Sequence, residues 1–289
     1  MPEGDTVWRT ADRLHRALGG ETITLSDFRF PQIATADLRG AVTTEVVSRG
    51  KHLLHRVDSG LTIHSHLKME GQWRVERVAD TASWLRRADL RAAVGTDTWS
   101  ALGLRLGLLE IVPTSREDEV VGHLGPDVLG PDWDPGEAVR RLLASGTTIG
   151  AALLDQRVLA GVGTLWASES LFLERIGPWS APAELDQGRV EALVARISRL
   201  MDASRHHAVQ SSTGVRRRGE EHFVHARSGR PCRRCGNAIR VSMIGPPGRE
   251  RTMFYCPTCQ GGIAPGDDGR PQRPLGSSGG GRSTTYRRS

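Results

Sequence analysis

Two adjacent residues at the head of the chain, Pro2 and Glu3, have the types needed to open a covalent reaction. Removal of an initiator methionine ahead of a small residue would leave Pro2 with a secondary α-amine. With a reference pKa of about 8, a large fraction of that amine is uncharged and nucleophilic near neutral pH. It can attack a sugar C1′ or an aldehyde and form an imine, while the neighbouring Glu3 carboxyl supplies or accepts the proton. The same pair also fits an ordinary helix start. A second chemistry is carried by Cys232-x2-Cys235 and Cys256-x2-Cys259, separated by twenty residues. This is zinc-ribbon spacing, and four thiolates close a tetrahedral site with no position left for water, so the expected metal is one structural zinc per chain. A third candidate is Gly161-Val162-Gly163-Thr164, two glycines ahead of a helical run. Exposed backbone N–H groups at such a helix start suit a phosphate, although the spacing alone is a weak signal that fits a plain helix–helix turn better.

The elements that must position these residues follow from periodicity. Val7, Ala11, Leu14 and Leu18 recur at spacings of 4, 3 and 4 before Gly19-Gly20, which predicts one amphipathic helix with Pro2-Glu3 at its head. From Glu21 to about Val112 the chain changes to short β-branched runs broken by Gly and Pro: residues 42–47, 61–66, 72–78 and 104–112. They predict an antiparallel sandwich or barrel. Helical periods follow at 137–144, 149–154, 165–173 and 185–201. Residues 239–243 and 252–255 flank Gly245-Pro246-Pro247-Gly248 and read as a β-hairpin between the cysteine pairs. Arg249 and Arg251 sit near its tip, where they fit either DNA phosphates or a solvated turn. From about Gly261 the composition of Gly, Ser, Pro, Arg and Thr reads as disordered, adding weak attraction to DNA.

Charge narrows the partner. The 289 residues carry a net +6, and Arg205–Ser289 holds 16 Arg against 5 acids, which leaves −5 for residues 1–204. A basic surplus confined to one end points to a polyanion engaged there. Only Lys51 and Lys68 are lysines, so compositional drift toward Arg is the competing explanation. No segment reads as a secretory signal or membrane span, because the first helix carries Arg9, Asp12, Arg13 and Arg16 where apolar residues would be required. A reducing, cytoplasmic location follows, with the cysteines as ligands and not disulfides.

Together these residues closely resemble the family of formamidopyrimidine-DNA glycosylase and endonuclease VIII, over roughly residues 2–260. The marks are Pro2-Glu3-Gly4-Asp5, Ser48-Arg49-Gly50-Lys51-His52, His66-Leu67-Lys68-Met69, His123-Leu124-Gly125-Pro126-Asp127, Leu154-Asp155-Gln156 with Ala160-Gly161-Val162-Gly163, residues 167–172, and the four cysteines. The resemblance implies an α+β multidomain chain. Its parts would be an N-terminal β-sandwich headed by a helix (1–122), a helix-two-turn-helix domain (123–204) and a zinc-finger region (205–262), to which composition adds a disordered basic tail (263–289). It implies a monomeric, nucleoid-associated bacterial enzyme of base excision repair, with damaged DNA held in the cleft between domains and the damaged nucleotide flipped out of the stack. Duplex is the expected substrate, with single-stranded or bubble DNA also accepted. Pro2 would be the nucleophile at C1′ and Glu3 the proton donor, and the imine would permit β- and then δ-elimination without a catalytic metal. By position, Lys51, His66 and Arg251 would hold phosphates, the turn at Gly161, Gly163 and Thr164 would add contacts, and Met69 would fill the vacated stack. A core methionine, a satisfied strand histidine and a surface lysine are the bland alternatives for Met69, His66 and Lys51, and Glu169 reads as structural. Thr164 departs from the family's usual Asn and lacks the amide's reach.

Lesion choice rests on one length and a few motif residues. Only 27 residues, Arg205–Pro231, separate the last helical run from Cys232, whereas the purine-lesion branch inserts a long base-capping loop there. With residues 71–75 and 154–156, this brevity looks more like endonuclease VIII and predicts oxidised pyrimidines, while Met69 leans toward the formamidopyrimidine branch. The competing functions are an oxidised-purine glycosylase, a damage-binding protein that has lost catalysis, and a zinc-ribbon nucleic-acid-binding factor.

Overall fold

The computed structural model describes residues 2–273. Helix α1 (Gly4–Leu18) forms where its periodicity predicts, with Val7, Ala11, Leu14 and Leu18 on one buried face. Burying each of the larger aliphatics contributes about 1.5–3 kcal/mol. That stripe fixes α1 on the sheets, and with it the residues at its head.

Eight strands follow: β1 (Leu25–Phe28), β2 (Thr43–Arg49), β3 (His52–Val57), β4 (Leu61–His66), β5 (Gln72–Arg77), then after a one-turn helix α2 (Ala82–Leu85), β6 (Leu90–Gly95), β7 (Trp99–Leu104) and β8 (Leu108–Pro113). They form two four-stranded antiparallel sheets, ordered β1-β6-β7-β5 and β2-β3-β4-β8. Phe28, Val46, Leu53, Ile63, Ala92 and Leu109 from the two sheets share one core with α1. The sandwich headed by a helix is therefore present. One run is corrected: residues 104–112 are not a single strand. Leu104 ends β7 in one sheet, Arg105 turns the chain at φ 49°, and β8 starts at Leu108 in the other.

A one-turn α3 (Asp118–Val121) leads to α4 (Pro135–Leu143), α5 (Ile149–Leu154), α6 (Thr164–Leu173) and α7 (Gln187–Arg205). Helix α7 runs four residues beyond its expected end, closing with Ser204 buried against α1. Helix α6 is the axis of this half of the molecule: every residue from Leu165 to Phe172 is buried. A helix without a polar face belongs inside, and Trp166 and Leu171 pack with Leu142, Ile149, Leu153, Ile197 and Met201 around it.

The finger strands β9 (Arg240–Ile244) and β10 (Arg251–Tyr255) pair antiparallel and put Ile244 and Met253 into the same core. Ser168 of α6 fastens them, its hydroxyl accepting from Phe254 N–H at 3.2 Å and donating to Met253 Sδ at 3.3 Å. The expected disorder from Gly261 is corrected for the part described. Ala264 is buried and donates to the Tyr255 hydroxyl, Asp267 pairs with Arg240, and the Gln272 amide brackets the backbone of Val241. A buried guanidinium on β9 needs a carboxylate partner, and these residues supply it. Residues 274–289, the rest of the expected tail, lie outside the described residues.

Candidate active site at the start of a buried helix

Glu3 is the last residue before α1, and its backbone carbonyl receives the N–H groups of Thr6 and Val7. Its side chain turns away and meets the start of α6. Glu3 Oε2 accepts from Gly163 N–H at 3.0 Å and Trp166 N–H at 3.2 Å, and Oε1 accepts from Leu165 N–H at 2.7 Å. Three of the donors that a helix leaves unpaired at its N-terminus are thus satisfied by a residue 160 positions away. Burial pushes the Glu3 carboxyl above its ordinary range, and the Lys51 charge and the Leu165 N–H oppose that shift. A carboxyl held this way keeps a proton more readily than a surface glutamate while remaining fixed in place.

The glycine turn is shaped by close approach. A side chain at Gly163 would put its Cβ 2.5 Å from Glu3 Cδ, and Gly161 has φ 90°, where a side chain is strained. Gly161 also receives the Gly4 N–H on its carbonyl at 2.8 Å, so α1 and the turn are bonded backbone to backbone. Gln156 holds the turn from within, its amide donating to Val162 O at 2.9 Å and its carbonyl accepting from Gly161 N–H at 3.0 Å. Asp127 holds it from the sandwich side. It is buried against Gly161, accepts from Gly50 N–H at 2.7 Å, and its carboxyl is pushed up by burial.

Gly50 and Lys51 make the turn between β2 and β3, which delivers Lys51 to the same place. The buried Lys51 ammonium donates to Val162 O at 2.7 Å, and burial lowers its pKa to about 8, against the attraction of Glu3. Arg251 at the start of β10 is exposed and near enough for its charge to lower Lys51 further. Lys51 is therefore not a surface lysine. His66 ends β4 opposite His52, the residue after Lys51. It takes the Lys68 backbone N–H on Nδ1 at 2.9 Å, and burial together with Lys68 and Lys51 lowers its pKa to about 4. Met69, three residues on, is 64% exposed and so is not a core methionine. Pro2 is half-buried beside Glu3, and Thr164 is the first residue of α6. Pro2, Glu3, Lys51, Gly161, Gly163 and Thr164 are thus gathered at one point, with His66 and Arg251 on its flanks. Met69 stands on a separate loop.

The four cysteines lie apart from this point. Their sulfurs are all within 4.8 Å of one another, which fits tetrahedral thiolate coordination of one metal ion with no open position. Glu169, in the middle of α6, is structural as its sequence position suggests. It is buried and accepts from the N–H groups of Phe223, Val224 and His225 at 2.7–2.8 Å and from the Ser212 hydroxyl.

Three residues of the assembly were not assigned roles by sequence reasoning. Gln156 and Asp127 enter only as letters of motifs, and Asp5 only as part of the first five residues. Asp5 is buried and joins α1 to α7, accepting from Ser204 Oγ at 2.6 Å and from the Gln210 amide at 2.8 Å. An acid in the first turn of a helix is ordinary in sequence, and the partners that bury Asp5 are 199 and 205 positions away, so no local signal marked it.

Comparison with known proteins agrees with this arrangement. Residues 1–101 match the formamidopyrimidine-DNA glycosylase N-terminal domain and residues 124–215 the formamidopyrimidine-DNA glycosylase H2TH domain. A probable endonuclease 8 2 of Streptomyces coelicolor is 48% identical over 93% of this chain and 98% of its own length. A DNA-(apurinic or apyrimidinic site) lyase Nei2 of Mycolicibacterium smegmatis is 42% identical, covering 90% and 99%. In fold, the formamidopyrimidine-DNA glycosylase of Lactococcus lactis, solved non-covalently bound to DNA containing an abasic site, superposes with a TM-score of 0.75 at 22% identity, over 90% of this chain and 99% of that one. With both family domains in sequence and relatives matched nearly end to end, the chain belongs to the formamidopyrimidine-DNA glycosylase and endonuclease 8 family.

Proposed function

We propose that the protein is a bifunctional DNA glycosylase and abasic-site lyase of base excision repair, with the amine of processed Pro2 as nucleophile and Glu3 as proton donor. The observation that carries this reading is the hold of α6 on Glu3, which fixes the head of the chain beside a buried lysine and a glycine turn. The Pro2 lone pair forms a bond to C1′ as the bond from C1′ to the base breaks, and the base leaves with that electron pair and takes up the proton that the Pro2 nitrogen sheds. Glu3 gives its proton to the deoxyribose ring oxygen as the sugar opens. The iminium at C1′ acidifies C2′–H, and loss of that proton expels the 3′ phosphate. A second elimination expels the 5′ phosphate.

Lys51, His66 and Arg251 take phosphates on either side of the flipped nucleotide, and the turn at Gly161, Gly163 and Thr164 adds N–H and hydroxyl donors. Phosphate beside Lys51 returns it to full charge, which its burial otherwise opposes. Met69, exposed on its loop, fills the gap left in the stack. Cys232, Cys235, Cys256 and Cys259 hold one zinc, whose role is to fold the hairpin that carries Arg251. Oxidised pyrimidines are the favoured lesions. The segment before Cys232 is short, and Glu169 holds part of it down, which leaves little chain to cap a large purine.

Borohydride reduction is the test. Protein verified by mass to begin at Pro2, mixed with duplex carrying an abasic site, should give a covalent adduct that maps to Pro2. No adduct, or one that maps to Lys51, rules out the assigned nucleophile. Protein that keeps Met1 or an N-terminal tag should bind the same DNA without forming the adduct.

A further inference from the structure

Beside the assigned site is a row of imidazoles that the reaction above does not use. His52 Nδ1 and His64 Nε2 are 2.7 Å apart, and His64 Nδ1 is 2.7 Å from Glu110 Oε1. The rings of His52 and His64 stack at 5.0 Å, while His66 and His123 stand edge-on to His52 at 4.9 and 6.3 Å. The hydrogen-bond directions follow from the end of the row. A carboxylate only accepts, so His64 carries its hydrogen on Nδ1 and, when neutral, offers a bare Nε2. His52 must therefore donate from Nδ1, which leaves His52 Nε2 a lone pair. That atom has no partner among the described residues and is not sealed from solvent. His66 is set the opposite way. Its Nδ1 is occupied by the Lys68 N–H, so its Nε2 is already a donor in the neutral ring.

The two histidines face each other across β3 and β4, next to Lys51. On DNA, one can bond a phosphodiester oxygen as it stands, and the other would present lone pair to lone pair. We propose that His52 is a second histidine ligand for DNA phosphate beside His66, switched on by one proton taken from solvent and stored on the His64–Glu110 pair behind it. The proton enters at His52 Nε2. The hydrogen on His52 Nδ1 then passes to His64 Nε2, so the positive charge rests on His64 against the Glu110 carboxylate while His52 Nε2–H faces the phosphate. His64 and Glu110 are positioning residues, since neither touches DNA.

The other charged or titratable groups around His52 are His66 at the end of β4, Lys68 after it, His123 before the helical half, Arg49 across the β2–β3 turn, and Lys51. Without DNA a charge is opposed at both rings: burial, then His66, His64, His123 and Lys68, lower the His52 pKa to about 3, and burial holds the His64 pKa below its ordinary value against the pull of the Glu110 and Glu117 carboxylates. A phosphate diester reverses that balance. Binding therefore strengthens as pH falls through the bound-state pKa, and flattens only below the free-state value.

The proposal rests on the reading of the protein as a DNA-binding enzyme, and the experiment separates the two. Calorimetric titration with a duplex carrying a tetrahydrofuran abasic analogue, in buffers of different protonation enthalpy at pH 7, should show net uptake approaching one proton. Affinity should rise about threefold to tenfold per unit between pH 8 and pH 6. E110Q keeps the bond to His64 and removes the charge, and H52Q offers an amide donor that needs no proton. Both should bind with the uptake and the pH slope largely gone, whereas H66A, which removes a donor that needs no proton, should weaken binding at every pH and leave the slope. Wild-type binding without proton uptake, or uptake unchanged in E110Q and H52Q, overturns the proposal and leaves the enzyme reading intact. Absence of any binding to the abasic duplex overturns both.

Discussion

Two buried glutamates mark the two ends of what α6 does. Glu3 and Glu169 are each almost wholly enclosed, and each accepts three backbone N–H groups. Burial and hydrogen bonding therefore do not separate a reacting carboxyl from a structural one. What separates them is what lies on the far side. Glu169 faces a closed segment with a hydroxyl to complete its bonds. Glu3 faces Lys51, the glycine turn and the half-buried head of the chain, and its burial raises its pKa where a proton is to be given away. One end of the helix holds the proposed chemistry and the middle holds shape.

The sharpest way to break this comparison is to change both acids to their amides. E3Q should cut base excision by about 10²–10⁴ and cut lysis of a preformed abasic site less, measured on the two substrates in parallel. Equal losses would remove the acid role. E169Q should do the reverse, with turnover per folded molecule kept and stability lost. An amide nitrogen in place of either Glu169 oxygen leaves two donors unmet, at about 1–3 kcal/mol each, so its Tm should fall further than that of E3Q.

C256S tests the next link, from α6 to the finger. Loss of one thiolate should release the zinc and loosen β9 and β10. DNA affinity should fall at least tenfold while the sandwich still melts cooperatively. Unchanged zinc content and affinity would contradict it. A smaller effect is expected of pH acting on Lys51. DNA binding favours its charged form, so affinity from this group is full below the free pKa of about 8 and is lost as pH rises above it. K51Q should bind more weakly and lack that alkaline decline. The smallest change in stability belongs to M69A, within about 0.5 kcal/mol as for other exposed positions. If Met69 fills the stack, discrimination between damaged and intact duplex should still drop, and equal discrimination would return it to an ordinary surface residue.

What could be read in the sequence was whatever repeats at a local period. The α1 stripe, the helical runs, the cysteine spacing and the hairpin between them all depend on neighbours within one element. The β7–β8 connection was misread because one residue at positive φ moves the chain between sheets inside an unbroken apolar run. The site was legible as a set of residue types, and its family resemblance gathered them. The physical links were not legible: Glu3 to Gly163, Gly50 to Asp127, and Asp5 to Ser204 are made between residues 77 to 199 positions apart. Nothing in local pattern announces such pairs. The ordered stretch after Gly261 escaped for the same reason, since its composition is that of a tail and its stability comes from Arg240 and Tyr255 in the finger.

The bond between Gly4 and Gly161 also orders events during synthesis. The head of the chain leaves the ribosome first, but its seat on α6 does not exist until more than 160 residues have been added. At about 5–20 residues per second, that interval lasts roughly 8–30 s. During it the first residues remain open to the aminopeptidase that the proposed Pro2 chemistry requires, and in that reading the trimmed end is drawn into place once α6 arrives.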